Sequence, residues 1–127
     1  MAAVAYLDTH VVAWLFAGEV GLFTERARQA IREHELLISP IVRLELQYLY
    51  EIGRTRVAAK VVVRELSRSV GLAVCDQPFE GVIEVAEAQS WTRDPFDRII
   101  VAQAGLAAAA LVTKDQAIRD RYAMAVW

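Results

Sequence analysis

Val4-Ala5-Tyr6-Leu7-Asp8-Thr9-His10-Val11-Val12, near the head of a 127-residue chain, decides the fold. Four residues apolar on both faces stop at an acid, and an apolar stretch of helical length runs on to Gly18. A short run buried on both faces is the mark of a strand inside a parallel sheet, and such a strand needs a crossover helix after it. The unit then repeats. Leu36-Leu37-Ile38 ends at Ser39-Pro40, and a helix is predicted over 41–52 with Gly53 at its C-cap. Thr24 is placed to cap a helix over 25–33, and Thr55 to cap another running to Ser69 before Gly71. Leu72-Ala73-Val74-Cys75 reads as a third strand, followed by a helix that Pro78 starts and Gln89 ends. Asp94-Pro95 opens a helix to Ala108, Ala110-Leu111-Val112-Thr113 is a fourth strand, Asp115 caps a short helix to Arg121, and 123–127 is a fifth strand. Strands separated by helices predict an α/β fold with a five-stranded parallel sheet covered on both faces, a three-layer sandwich. No linker, repeat or low-complexity segment divides the chain, so one domain over 1–127 is expected.

Composition narrows the function classes. One Cys allows neither an internal disulfide nor a cysteine-rich zinc site, and two His do not make a histidine cage. A reducing cytoplasm is the expected setting. The formal net charge of −2 excludes a broadly basic nucleic-acid coat. Hydrophobic residues reach 56%, which points to a partner or a second copy covering apolar surface. Asp8 interrupts the apolar N-terminal stretch and the first basic residue is Arg26, so no export signal is expected. The apolar run 104–112 falls far short of the roughly 20 residues a bilayer requires.

The acids carry the functional reading. Ligands of an open α/β sheet bind beyond the carboxyl ends of its strands. Asp8 ends the first strand and Asp115 lies just past the fourth, although both also suit helix N-capping. Asp76 follows the third strand and is a candidate on the same ground. Glu45 shares a helix face with Ile41, Tyr48 and Leu49, so it is expected on the inward stripe, either held by a metal or paired with an Arg such as Arg43. Within Arg93-Asp94-Pro95-Phe96-Asp97-Arg98, Asp94 suits the N-cap and Asp97 the N3 position, where a carboxylate also faces inward with Ile100, Val101 and Ala104. Acids at strand ends and on inward helix faces, without a matching set of inward Lys, suit a hard divalent cation and metal-assisted attack of water on a phosphodiester.

Tyr6-Leu7-Asp8-Thr9-His10, Ser39-Pro40 followed by Glu45, the run from Asp94-Pro95-Phe96-Asp97-Arg98 to Ala104, and Leu111-Val112-Thr113-Lys114-Asp115 together resemble the PIN-domain family. The likeness is to the VapC-type ribonuclease toxins of bacterial toxin–antitoxin pairs, and it spans essentially the whole chain. The resemblance implies a Mg²⁺- or Mn²⁺-dependent endoribonuclease whose catalytic acids are Asp8, Glu45, Asp97 and Asp115, with Asp8 and Asp97 on the metal. Asp94 then stands beside the site as accessory acid or cap. Thr9, Ser39 and Thr113 match small hydroxyl positions around it, and Arg98 flanks it. Asp76 has no catalytic counterpart in the family pattern. The resemblance also implies an RNA substrate, a homodimer, and a VapB-type antitoxin whose C-terminal arm covers the acidic groove.

The remaining features divide between ordinary and functional readings. Arg56, Lys60, Arg64 and Arg68 recur every four residues on a predicted helix; a solvated face outweighs a phosphate track, and Glu65 interrupts it. Arg93 and Arg98 either grip phosphate or neutralise the acids. Trp14 and Trp91 either stack on a base or pack in the core or against a partner. His10 reads as a packed or exposed loop residue and Cys75 as core. Two other function classes compete: a phospho-accepting receiver-like domain, which has no need of Glu45 within a helix, and a catalytically silent PIN-like module that only binds RNA or protein. Cleavage with and without EDTA separates all three.

Overall fold

The computed structural model describes residues 3–127. Five strands, β1 (Val4–Leu7), β2 (Glu35–Ile38), β3 (Ala73–Val74), β4 (Ala110–Val112) and β5 (Ala125–Val126), form one parallel sheet in the order β3-β2-β1-β4-β5. Tyr6 of β1 sits opposite Leu37 on one side and Leu111 on the other. Ala5, Tyr6 and Leu7 are each at most 1% exposed. Successive strand side chains point to opposite faces, so the central strand is covered on both, as its unbroken apolar run predicts.

The connecting helices are α1 (Thr9–Ala17), α2 (Glu25–Glu33), α3 (Pro40–Glu51), α4 (Ala59–Val70), α5 (Phe79–Glu87), α6 (Pro95–Leu106) and α7 (Gln116–Arg121). Their ends follow local chemistry. The Thr24 hydroxyl accepts from Ala27 N at 3.1 Å, and the Ser39 hydroxyl accepts from Ile41 N at 3.2 Å ahead of Pro40. Gly18 and Gly71 close α1 and α4 with φ of 74° and 72°, the left-handed conformation glycine adopts without a Cβ clash.

The fourth helix departs from expectation. It begins at Ala59 rather than after Thr55, and Ala58, its N-cap, offers no side-chain acceptor. The Thr55 hydroxyl donates instead to Val57 O, while Ala59 N is satisfied by Gln47 Oε1 of α3 at 3.2 Å. A donor at a helix start must be satisfied by something; here a neighbouring helix does it, which local sequence does not reveal. Arg56 consequently lies in the turn before α4, so the expected four-residue stripe of basic residues is broken at its first member. A short 3₁₀ turn over Val20–Leu22 was not anticipated either. The third strand starts one residue later than expected because Leu72 N donates back to Leu66 O of α4.

The core gathers around β1, β2 and β4 with Val11, Val12, Val42, Leu46, Leu66, Ile100 and Ile118. Cys75 belongs to it, as expected, and its sulfur accepts from the Tyr6 hydroxyl at 3.0 Å. Strand order runs away from β1 in one direction through β2 and β3, and in the other through β4 and β5. The reversal between β1 and β4 makes the crevice above their carboxyl ends the place where a ligand is expected.

Candidate active site

Asp8 stands at that reversal. It leaves β1, hydrogen-bonds through its N–H to Val112 O at 3.1 Å, and caps α1, its Oδ1 accepting from Thr9 N at 2.8 Å. Its Oδ2 accepts from the buried Thr113 hydroxyl at 2.7 Å. At 6% exposure it is a buried carboxylate. Burial raises its pKa, and the two hydrogen bonds offset part of that rise. Capping and site membership therefore coincide in one residue. The Thr113 oxygen also accepts from Asp115 N at 3.1 Å, so one hydroxyl ties the ends of β1 and β4 together.

Glu45 projects from α3 and is half-buried. No Arg pairs with it; the Thr9 hydroxyl donates to its Oε1. Burial pushes its carboxyl up, and the charges of Asp8 and Asp94 push it further. The stripe expected to bury it is not the core stripe: Val42 and Leu46 face the core, whereas Tyr48 is exposed. Glu45 sits at the border, where α3 meets α1 and α6.

The α6 start brings two more acids. Asp94 caps the helix, its Oδ1 accepting from Phe96 N at 2.8 Å and Asp97 N at 3.4 Å. Asp97 is half-buried, with no donor to its carboxylate among the described residues. Its pKa is pushed up to about 7, first by burial and then by Asp94, Asp8, Asp115 and Glu45. Asp115 caps α7 through bonds from Ala117 N at 2.8 Å and Ile118 N at 3.2 Å, and is exposed. Five carboxylates from four separate chain segments thus share one electrostatic field. Among the described residues the only ion pairs join Glu25 to Arg28 and Arg32, and Glu65 to Arg68, so no cationic side chain neutralises the cluster in a salt bridge.

The accessory residues separate. Thr9 and Thr113 contact the acids directly; Ser39 is buried and caps α3 without touching any of them. Arg98 donates from Nε to Thr92 O at 2.9 Å, and Arg93 from Nη1 to Ser90 O at 2.9 Å, so both brace the loop ahead of Asp94. Arg68 is taken by Glu65, leaving Lys60 and Arg64 exposed on α4. Trp14 and Trp91 pack against the core. Two features escaped the sequence reading. Lys114 Nζ lies 5.8 Å from the Trp14 ring centroid, a cation–π contact set by the loop after β4. Tyr48 and Phe96 meet as a near-parallel ring pair between α3 and α6. An apolar groove of about 600 Å³ runs between α1, α3 and the turn before α4, lined by Trp14, Phe16, Leu46, Leu49 and Val57 with Arg54 and Arg56. His10 lies on the wall of this groove; it is exposed, and its charge favours the ionised forms of Asp8 and Glu45.

The donor set is all oxygen and repels itself, which suits a hard divalent cation. Among the described residues no three His, Cys, Asp or Glu side chains converge tightly enough to hold an ion by themselves. Mg²⁺ keeps several waters and takes one or two carboxylates, so the arrangement fits that mode of binding. Thr113→Val, which keeps shape and removes the hydroxyl, is expected to cost about 1–3 kcal/mol of stability by stranding Asp8 Oδ2. It should also lower any activity of the site roughly 10- to 100-fold through misplacement of Asp8. Urea melts and turnover measured on one preparation check both.

The PIN domain family pattern matches residues 5–123. Ribonuclease VapC22 of Mycobacterium tuberculosis (strain ATCC 25618 / H37Rv) is 36% identical over 121 residues, covering 90% of this chain and 88% of that protein. Two solved structures share the fold at 18% identity, each with a TM-score of 0.61. One is VapBC2 from Rickettsia felis bound to a promoter DNA fragment, with 92% of each chain covered. The other is a toxin–antitoxin complex from Klebsiella pneumoniae, with 97% of this chain and 96% of that chain covered.

Proposed function

Since the chain belongs to the PIN-domain family, we propose that it is a metal-dependent endoribonuclease, the VapC-type toxin of a toxin–antitoxin pair, acting as one domain over 1–127. The observation that supports this best is the convergence of Asp8, Glu45, Asp94, Asp97 and Asp115 on the crevice at the sheet's reversal, with no salt bridge to any of them among the described residues. Within this reading Asp8, Glu45, Asp97 and Asp115 are the catalytic set, and Asp8 and Asp97 hold the ion.

A bound Mg²⁺ or Mn²⁺ would supply Lewis-acid charge to the scissile phosphate and to the attacking water. The chain's own residues do the positioning. Thr113 and the Thr9 N–H orient both oxygens of Asp8, and the Thr9 hydroxyl fixes one oxygen of Glu45, leaving Oε2 uncommitted. Among the described residues no donor reaches the Asp97 carboxylate, which leaves it to accept a hydrogen bond from a water or to face an ion. Arg98 steadies the loop from which Asp94 starts α6. The carboxylate oxygens that would hold the ion are thus oriented before the substrate arrives, so the cation's charge would meet the phosphate in a preorganised position.

The partners in this reading are RNA as substrate, a VapB-type antitoxin, and a second copy of the chain. The relatives of known assembly are toxin–antitoxin complexes, and the apolar groove beside His10 offers an antitoxin segment a docking surface. No helix among the described residues is long and apolar enough to cross a membrane, and a cytoplasmic site of action is part of the proposal. Purified chain is expected to cleave single-stranded RNA with Mg²⁺ or Mn²⁺ and to stop on addition of EDTA. RNA retained intact under both conditions would favour the silent binding module, and cleavage indifferent to EDTA would remove the metal from the mechanism.

A further inference from the structure

We propose that the Tyr48–Phe96 ring pair is a stacking subsite for an unpaired RNA base beside the scissile phosphate, an inference that rests on the ribonuclease reading. Tyr48 is 50% exposed, and its hydroxyl has no partner among the described residues. Its ring lies 6.4 Å from that of Phe96, centroid to centroid, with 26° between the planes. Both rings are anchored on backbone that carries the acids. Tyr48 follows Glu45 by one helical turn on α3, which puts the two on one face. Phe96 lies between Asp94 and Asp97, and its N–H donates to the Asp94 carboxylate.

The chemistry selects the occupant. A cluster of carboxylates repels the phosphates of the strand it must hold, and the formal net charge of −2 supplies no general attraction. Base–aromatic stacking holds a nucleotide without charge and tolerates any base. Leu44, one turn before Tyr48 on α3, and Ile52, the cap residue one turn after it, are also exposed, but neither carries a ring on which a base could stack. Trp14 and Trp91, the stackers that residue type suggests, are packed against the core, and Trp91 Nε1 is committed to Gln89 Oε1 at 2.8 Å.

The test compares aromatic with merely apolar side chains. With Mg²⁺ and a labelled single-stranded RNA of mapped cleavage position, Tyr48→Leu is expected to raise KM roughly tenfold with little change in kcat, and Tyr48→Phe to restore it. RNAs made abasic at each nucleotide flanking the cut should include one on which wild type falls to the level of Tyr48→Leu and the variant loses nothing more. Wild-type kinetics in Tyr48→Leu, or an equal further loss on every abasic RNA, would overturn the subsite. A sedimentation change in Tyr48→Leu with unaltered kinetics would likewise overturn it and assign the rings to a contact between protein chains. A wild type that cleaves no RNA at all fails the ribonuclease reading itself, an outcome distinct from an active wild type with indifferent variants.

Discussion

Asp97→Asn is expected to lower RNA cleavage by at least about 100-fold while raising the melting temperature of the metal-free chain. The two effects have one cause. Asp97 is half-buried, receives no hydrogen bond from the described residues, and feels four other carboxylates, so its ionised form is unwelcome in the folded state without a cation. Asn keeps the shape and removes the charge. The charge also has a favourable side, because N3 of α6 is a good position for an anion, worth about 0.3–1 kcal/mol. Relief of burial and repulsion outweighs that: it contributes about 1–2 kcal/mol at pH 7.5 after discounting for solvent screening of a half-buried group. The gain should appear as roughly 2–8 °C in Tm. Glu45→Gln and Asp8→Asn are expected to lose cleavage to a similar degree. Asp8→Asn should not gain the same stability, because Asp8 accepts the Thr113 hydroxyl and the Thr9 N–H, and an amide can accept on only one side. Paired melts and cleavage assays in EDTA and in Mg²⁺ decide the matter. Full cleavage by Asp97→Asn, or a lower Tm than wild type in EDTA, would mean that these acids serve as caps rather than as a shared cation site.

Mild acidification should stabilise the metal-free protein, opposite to the usual behaviour of a chain held by carboxylate ion pairs. Asp8, Glu45 and Asp97 all have folded-state pKa values raised above their ordinary ones, Asp97 from 3.8 to about 7. A raised acid binds its proton more tightly in the folded state. Its stabilisation is therefore fully present below the unfolded pKa and is lost as pH rises through the folded one. For Asp97 that window runs from pH 3.8 to about 7, so Tm in EDTA should climb as pH falls from 7.5 to 5. Glu25 and Glu65, lowered by Arg32 and Arg68, work in the opposite sense, but they are exposed surface pairs and weaken only below the ordinary carboxylate range. Mg²⁺ should invert the profile. Free ion at ten times Kd contributes about 1.4 kcal/mol by mass action. It competes with protons for the same oxygens, so the stabilisation should be large at pH 7.5 and small at pH 5. A melting series over that range, with EDTA and with Mg²⁺, is the measurement. Parallel curves in the two conditions would remove the cation from these acids.

Three acids of this cluster could be found along the chain because each sits where local rules put it. Asp8, Asp94 and Asp115 cap α1, α6 and α7, and capping is chemistry between near neighbours in sequence. The strand runs were legible for a similar reason: a segment covered on both faces must be apolar throughout, and Val4–Leu7 is. Strand order was not, since nothing local tells β4 to pair with β1 across more than a hundred residues. That pairing alone lets Thr113 reach Asp8.

Side-chain position was decided by packing between elements. Glu45 looked as if it belonged to the core stripe of α3, yet the core took Val42 and Leu46 and left Glu45 at the seam with α1 and α6. Thr55 had the chemistry of a cap, but Gln47 of α3 already satisfied the helix start at Ala59. The aromatics followed the same logic: the two indoles filled apolar gaps against the core, while Tyr48 stayed exposed beside a half-buried Phe96. Sequence by itself therefore determined most of the elements and the caps of α1, α2, α3, α6 and α7, all set by interactions within a few residues. Tertiary structure decided which acids meet, what holds their oxygens and which rings stay open to a ligand. Those outcomes depend on distances between segments far apart in the chain, and only the closed sheet brings them within hydrogen-bonding reach.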